Sequence, residues 1–157
     1  MEMSADEIEA ELRSLGGKYL CITGGEPLLQ GEPLVQLVRS LARQGYAIDI
    51  ETNGTINFSP YQPYASICMD IKCPSSGGRS DLTFLPLISS GDCVRFVVAD
   101  RADLEYAARV MRGQPIAGEI FFSPVSGSDP REAANFILER DLPARLQLQL
   151  HKFLGVR

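Results

Sequence analysis

Apolar residues recur along this chain with two alternating periods. Ile8, Leu12 and Leu15 share one helical face. Ser4, with Glu7 three residues on, opens that helix as a capping box, and Gly16-Gly17 stops it. A continuous apolar run, Lys18 to Thr23 (KYLCIT), then predicts a strand. Leu34, Val35, Val38, Leu41 and Ala42 form the stripe of a second helix that ends near Gly45. Further strands are predicted over Tyr46 to Glu51, Ala65 to Ile71, Cys93 to Val98 and Glu119 to Phe122, with a last one over Leu146 to Leu150. Between them, Asp100 caps a helix that turns Leu104, Ala107, Ala108 and Met111 inward. Asp129-Pro130 opens another, with Glu132 at the capping-box position. Residues 79–90 read as a short helix broken by Pro86.

Strands alternating with helices through short loops specify an α/β fold with parallel strands and right-handed crossovers. A (β/α) barrel or partial barrel competes with a doubly wound open sheet. The chain shows no repeat, low-complexity tract or linker, so residues 1–157 are expected to form one domain.

Composition narrows the function classes. The chain has 157 residues, 45% hydrophobic, with a net charge of −5 and no basic cluster, which argues against a nucleic-acid partner. No apolar run reaches a membrane span, and the start lacks a signal-peptide pattern, so a cytoplasmic protein is expected. Four cysteines, Cys21, Cys68, Cys73 and Cys93, form no CxxC, and disulfides are not expected in that compartment.

The polar and glycine-rich stretches all follow predicted strands. They are Gly24-Gly25-Glu26-Pro27, Glu51-Thr52-Asn53-Gly54, Lys72 to Gly78, Ser123 to Gly127, and Gln149, His151 and Lys152. Each is explicable as a turn. Together they mark one edge, the edge where parallel α/β folds bind ligands. Two glycines let a ligand approach the backbone, and Glu26 suits an ammonium group. The segment lacks the spacing and the lysine of a phosphate loop. Lys72 is placed to meet a ligand carboxylate, or is a solvated lysine. Glu51, ending an apolar strand, needs a polar partner or ligand. His151, the only histidine, is a donor, an acid–base group or a structural residue.

CITGGEPLLQ (Cys21 to Gln30) resembles the glycine-rich motif of radical S-adenosylmethionine enzymes. IETNGT (Ile50 to Thr55), DIKCPSSG (Asp70 to Gly77) and QLHKFLG (Gln149 to Gly155) narrow the resemblance to the 7-carboxy-7-deazaguanine synthase family of queuosine and 7-deazapurine biosynthesis. It covers nearly the whole chain. It implies that Gly24, Gly25 and Glu26 hold the amino group of S-adenosylmethionine. Thr52 and Asn53 would lie near its ribose, and Lys72 and Ser75 near its carboxylate. Glu51, Gln149 and His151 would face the pterin substrate, with Gly25 close to it. The implied reaction converts 6-carboxy-tetrahydropterin to 7-carboxy-7-deazaguanine, with a [4Fe–4S] cluster cleaving S-adenosylmethionine and magnesium assisting.

The family's CxxxCxxC loop and the threonine of its magnesium site have no counterpart here. The nearest cysteine pair, Cys68 and Cys73, has four residues between its members, and side chains alternate faces along a strand. The expected fold is therefore a partial (β/α) barrel missing the first strand of the radical S-adenosylmethionine core. The expected protein is inactive alone, with an apolar edge sealed in a homo-oligomer. A non-catalytic S-adenosylmethionine- or pterin-binding module is the alternative. A hydrolase using Glu51 or His151 ranks last, for want of GxSxG or HExxH.

Overall fold

The structure, a computed structural model, describes residues 3–150 together with 154 and 155. Six parallel strands form one sheet: β1 (Tyr19–Ile22), β2 (Ala47–Thr52), β3 (Ser66–Lys72), β4 (Cys93–Val98), β5 (Glu119–Pro124) and β6 (Arg145–Leu146). Their spatial order is their chain order, with no reversal. A doubly wound sheet reverses its strand order at a switch point, so this sheet is a sector of a barrel. Among the described residues β1 and β6 pair only with their inner neighbours.

Four helices complete the α/β alternation: α1 (Ala5–Leu15), α2 (Glu32–Arg43), α3 (Arg101–Gly113) and α4 (Pro130–Glu139). Alternation along each strand decides what faces what. On β3, Ile67, Met69 and Ile71 are wholly buried, whereas Ser66, Cys68, Asp70 and Lys72 point to the opposite, open face. The buried face packs on Val38 and Leu41 of α2, Leu104, Ala107 and Ala108 of α3, and Phe136 of α4. Phe96 and Phe122 meet edge-to-face at 5.7 Å in this layer, and burying each such ring contributes about 2–3 kcal/mol. The other face of the sheet is concave and polar.

Local expectations hold with instructive exceptions. Ser4 and Glu7 form the reciprocal capping box of α1, yet Leu15 is 72% exposed, because α1 buries none of its residues fully and is tied to α2 by polar contacts. The Glu9 carboxylate accepts from Ser40 Oγ and Gln44 Nε2, both at 2.7 Å. Asp129 caps α4 on the Arg131 amide and also pairs with the Arg131 guanidinium, so no reciprocal box with Glu132 forms. Residues 79–90 contain a 3-10 helix, Leu82–Leu87, that tolerates Pro86. The last strand is Arg145–Leu146 instead of Leu146 to Leu150: the Gln147 amide still reaches Phe122 O at 2.9 Å, and then Leu150 N turns back onto Leu148 O. Among the described residues no helix is long and apolar enough to cross a membrane.

Candidate functional site

The loops that follow the strands meet at one edge. After β1, Gly24 and Gly25 take φ values of 93° and 54°, a left-handed conformation that costs other residues energy. Nothing lies within 4 Å of a side chain built on either, so they are needed for backbone shape and not for lack of room. Among the described residues their amides and carbonyls take no hydrogen bond. They are open to a ligand.

Glu26 is differently employed. Its carboxylate accepts from Leu28 N at 3.1 Å, from Thr52 Oγ1 at 2.9 and 3.0 Å, and from Asn53 N at 2.8 Å. These bonds tie the end of β1 to the end of β2 and use most of what a carboxylate can accept. Thr52, 2% exposed, spends its hydroxyl there too. Asn53 Oδ1 accepts from the Thr55 amide and hydroxyl, closing an Asx turn. Glu26, Thr52 and Asn53 thus shape this edge with their side chains.

The loop after β3 is braced from behind. Ser75 N donates to Asp103 Oδ1 at 3.0 Å, and Ser75 Oγ donates to Asp103 Oδ2. Ala99 N also donates to Asp103 Oδ2, at 2.9 Å. Asp103 lies in the first turn of α3 and is wholly buried. Burial opposes its ionisation. The Ser75 and Ala99 hydrogen bonds outweigh it and hold the carboxyl below its ordinary range. Lys72 extends over the concave face, its Nζ 3.9 Å from Asp70 Oδ2.

The concave face itself carries an ion network. Arg95 on β4 donates from Nη1 to Glu51 Oε1 at 3.0 Å and from Nε to Asp70 Oδ1 at 2.7 Å. Thr23 Oγ1 donates to Glu51 Oε2 at 3.2 Å. The Arg95 hydrogen bond holds the Glu51 carboxyl below its usual range. A cleft of about 370 Å³ opens here, lined by Cys21, Glu51, Cys68, Cys93, Arg95 and Phe121 among others.

A second cleft, about 270 Å³, lies between the loop Pro124–Ser128 and residues Leu148 and Gln149. The Gln149 Oε1 atom is buried and has no hydrogen-bond partner among the described residues. Such an orphan calls for an explanation, and a ligand is one. His151 and Lys152 lie outside the described residues.

The structure therefore brings Gly24, Gly25, Glu26, Thr52, Asn53, Lys72, Ser75, Glu51 and Gln149 to the C-terminal edge or the concave face. Sequence reasoning missed Thr23, Asp70, Arg95 and Asp103. Arg95 and Asp70 did leave a signal, each a charge inside an apolar strand. Asp103 left none, because an acid in the first turn of a helix is ordinary.

The four cysteines do not assemble. Cys68 and Cys93 are register partners on the concave face. Donation to Cys93, together with burial, pushes the Cys68 thiol up. Cys73 is wholly buried toward the helices, where burial raises its thiol to about 12. Cys21 is exposed on β1. Among the described residues no three His, Cys, Asp or Glu side chains form a metal-holding group.

No protein-family model matches the chain. It is 47% identical over 156 residues to the 7-carboxy-7-deazaguanine synthase of Methanospirillum hungatei, covering 99% of this chain and 67% of that protein. The synthase of Koribacter versatilis is 36% identical, across 98% of this chain and 76% of its own length. That of Chlorobaculum tepidum is 34% identical, across 97% and 72%. Among solved structures, QueE from Escherichia coli superposes with a TM-score of 0.72 at 22% identity, over 94% of this chain and 64% of that one. SuiB from Streptococcus suis, solved bound to S-adenosylmethionine, gives 0.65 at 14% identity, over 93% and 41%. The two likenesses carry the fold, and the sequence relatives carry the assignment: this chain belongs to the 7-carboxy-7-deazaguanine synthase family.

Proposed function

We propose that this chain binds S-adenosylmethionine along its C-terminal edge and a pterin over its concave face, as a synthase of queuosine biosynthesis does, and that its four cysteines do not support the radical step. The observation that carries the binding half is the open Gly24-Gly25 backbone after β1, and the orphaned Gln149 Oε1 beside a separate cleft after β5 adds to it. Free backbone amides and carbonyls with an unfilled amide-oxygen acceptor fit a zwitterionic, hydrogen-bonding ligand. Bound S-adenosylmethionine would supply the adenosyl group for hydrogen abstraction from the pterin. The Gly24 and Gly25 carbonyls would receive its ammonium group, and Lys72 would attract its carboxylate. The Ser75 hydroxyl, which donates to Asp103, keeps only acceptor capacity toward a ligand. Glu51 would accept from pterin N–H groups.

The [4Fe–4S] cluster is a different matter, because the residues present do not fit it. Three thiolates must converge, and Cys73 lies on the opposite side of the sheet from Cys68 and Cys93, while Cys21, which shares their cleft, sits two strands from Cys68 in register with Asp49 and Ser66 instead. The same holds for magnesium: among the described residues no three His, Cys, Asp or Glu side chains form a metal-holding group, and the neighbouring Glu51 and Asp70 carboxylates are both engaged by Arg95. This favours ligand binding without lyase turnover by these residues. The reading places the chain in the cytoplasm, where free thiols stay reduced.

Titration calorimetry with S-adenosylmethionine and with 6-carboxypterin tests the binding half. Heat with either is expected, and no heat with both removes the proposal. Anaerobic reconstitution with iron and sulfide tests the other half. A stoichiometric cluster absorbance with 5′-deoxyadenosine formation would overturn it.

A further inference from the structure

We infer that Arg95 is the positioning residue of the substrate-facing carboxylate: its guanidinium bridges Glu51 on β2 and Asp70 on β3 and so fixes the direction and charge of Glu51. The inference rests on the reading that Glu51 meets the pterin.

The geometry is specific to arginine. A guanidinium offers five donors in a rigid fork, and here Nε and Nη1 are committed to two carboxylates on two neighbouring strands, at 2.7 and 3.0 Å. A lysine ammonium is a point charge on a flexible stem and would not hold both in one fixed geometry. Asp70 acts as the brace that stops the guanidinium from swinging. The side chains of Arg95 and Asp70 are 18% and 17% exposed, and that of Glu51 is 32% exposed. The most accessible member of the trio is thus the one aimed at the cleft. Glu51 gives one oxygen to Arg95 and the other to Thr23, which leaves one acceptor position free on each. Two parallel acceptors match two adjacent N–H donors on a flat heterocycle.

The surrounding charges would otherwise work against an ionised Glu51. Facing it or sharing its cleft are Cys21 from β1, Asp49 from β2, Cys68 and Asp70 from β3, Cys93 from β4, Glu119 from β5 and Asp92 before β4, whose carboxylate accepts from Gln62, Ser89 and the Ile67 amide. Lys72 lies beyond Asp70, and Glu119 is paired with Arg145 at 2.9 Å. Arg95 is the cation in contact with Glu51. Without it, Asp49 and Asp70 would make protonation of Glu51 easier, and a protonated Glu51 loses half of its acceptor pair.

The test is a carbon-detected carboxyl titration by NMR on the full chain, with Glu51→Gln to assign the resonance. In Arg95→Met the Glu51 midpoint is expected to rise by about one to two pH units, and in Arg95→Lys by less. An unmoved midpoint in both variants overturns the inference. Should Arg95→Met fail to fold, Arg95→Lys decides alone, since its ammonium cannot hold both carboxylates. Quenching of 6-carboxypterin fluorescence supplies a second readout. About one pH unit below the raised midpoint, affinity in Arg95→Met should fall several-fold, up to roughly tenfold, relative to wild type and recover as the pH rises. A loss that is the same at every pH would mark Arg95 as merely structural and sink the idea. If wild type binds no pterin at any pH, the substrate reading fails, while the titration still decides what Arg95 does to Glu51.

Discussion

At the scale of single residues, the site edge rests on side chains that a ligand need not touch. Thr52 illustrates this. Its buried hydroxyl spans Glu26, and replacing it with valine keeps the volume but leaves the carboxylate short of a donor. Thr52→Val should cost about 1–3 kcal/mol in urea denaturation and weaken S-adenosylmethionine binding through the displaced Gly24-Gly25 turn. Gly54 is a sharper case. Its φ is 71°, and a Cβ placed there would run into the buried Met69 side chain, whose Cγ would lie 3.0 Å away. Gly54→Ala therefore combines backbone strain with overpacking, and an expected loss of about 2–4 kcal/mol should show as a lowered denaturation midpoint. Asp103 gives a pH signature. Its folded carboxyl lies below the unfolded value, so its stabilising contribution is complete above the unfolded value, near pH 4. That contribution fades as the pH falls through the lower, folded value. Acid titrations of stability should show wild type losing stability below about pH 4 more steeply than Asp103→Asn. Equal slopes would mean that the Ser75 brace contributes no linkage.

At the scale of elements, the strands are unequal partners. β3 and β4 are paired on both sides and carry the Arg95 network, whereas β1 is a short edge beneath the glycine turn. α1 is the weakest helix. It buries no residue fully and meets α2 through Glu9, Ser40 and Gln44. Ser4→Ala removes its cap, with a local cost of about 1 kcal/mol. Hydrogen exchange should then show α1 amides opening faster while β3 and β4 amides keep their protection. The element pattern was largely legible beforehand, because each helix carries a stripe and each long strand an apolar run. Leu15 and the region Leu146 to Leu150 were misread for one reason. A hydrophobic letter near an element's end does not say whether any surface is there to cover it.

At the scale of the whole molecule, the six strands form an arc whose helical layer is covered and whose concave face is open. Among the described residues the outer side of β1 has no partner strand, and Tyr19 on it is 92% exposed. Unpaired parallel edges tend to recruit another chain. We propose self-association through this edge. Light scattering at micromolar concentration should then give a mass above one chain, and Tyr19→Lys should return it to that of a monomer. A monodisperse wild-type monomer would end the proposal.

The sequence by itself determined the α/β alternation, the family, and the gathering of polar loops after strands. These follow from period, turn chemistry and four local motifs, each written in contiguous residues. Tertiary structure alone decided what each polar side chain does. Glu26 reads from the sequence as a partner for an ammonium group, and the fold adds bonds from its carboxylate to Leu28, Thr52 and Asn53 that tie β1 to β2. Arg95 looked like an odd charge in an apolar strand until β2 and β3 placed Glu51 and Asp70 beside it. The four cysteines are scattered in sequence, and the fold brings Cys68 and Cys93 side by side but no third thiol onto them: alternation sends Cys73 to the opposite face of the sheet, and Cys21 lies two strands from Cys68. Pairings across strands depend on register, and register is settled only when the core face is buried.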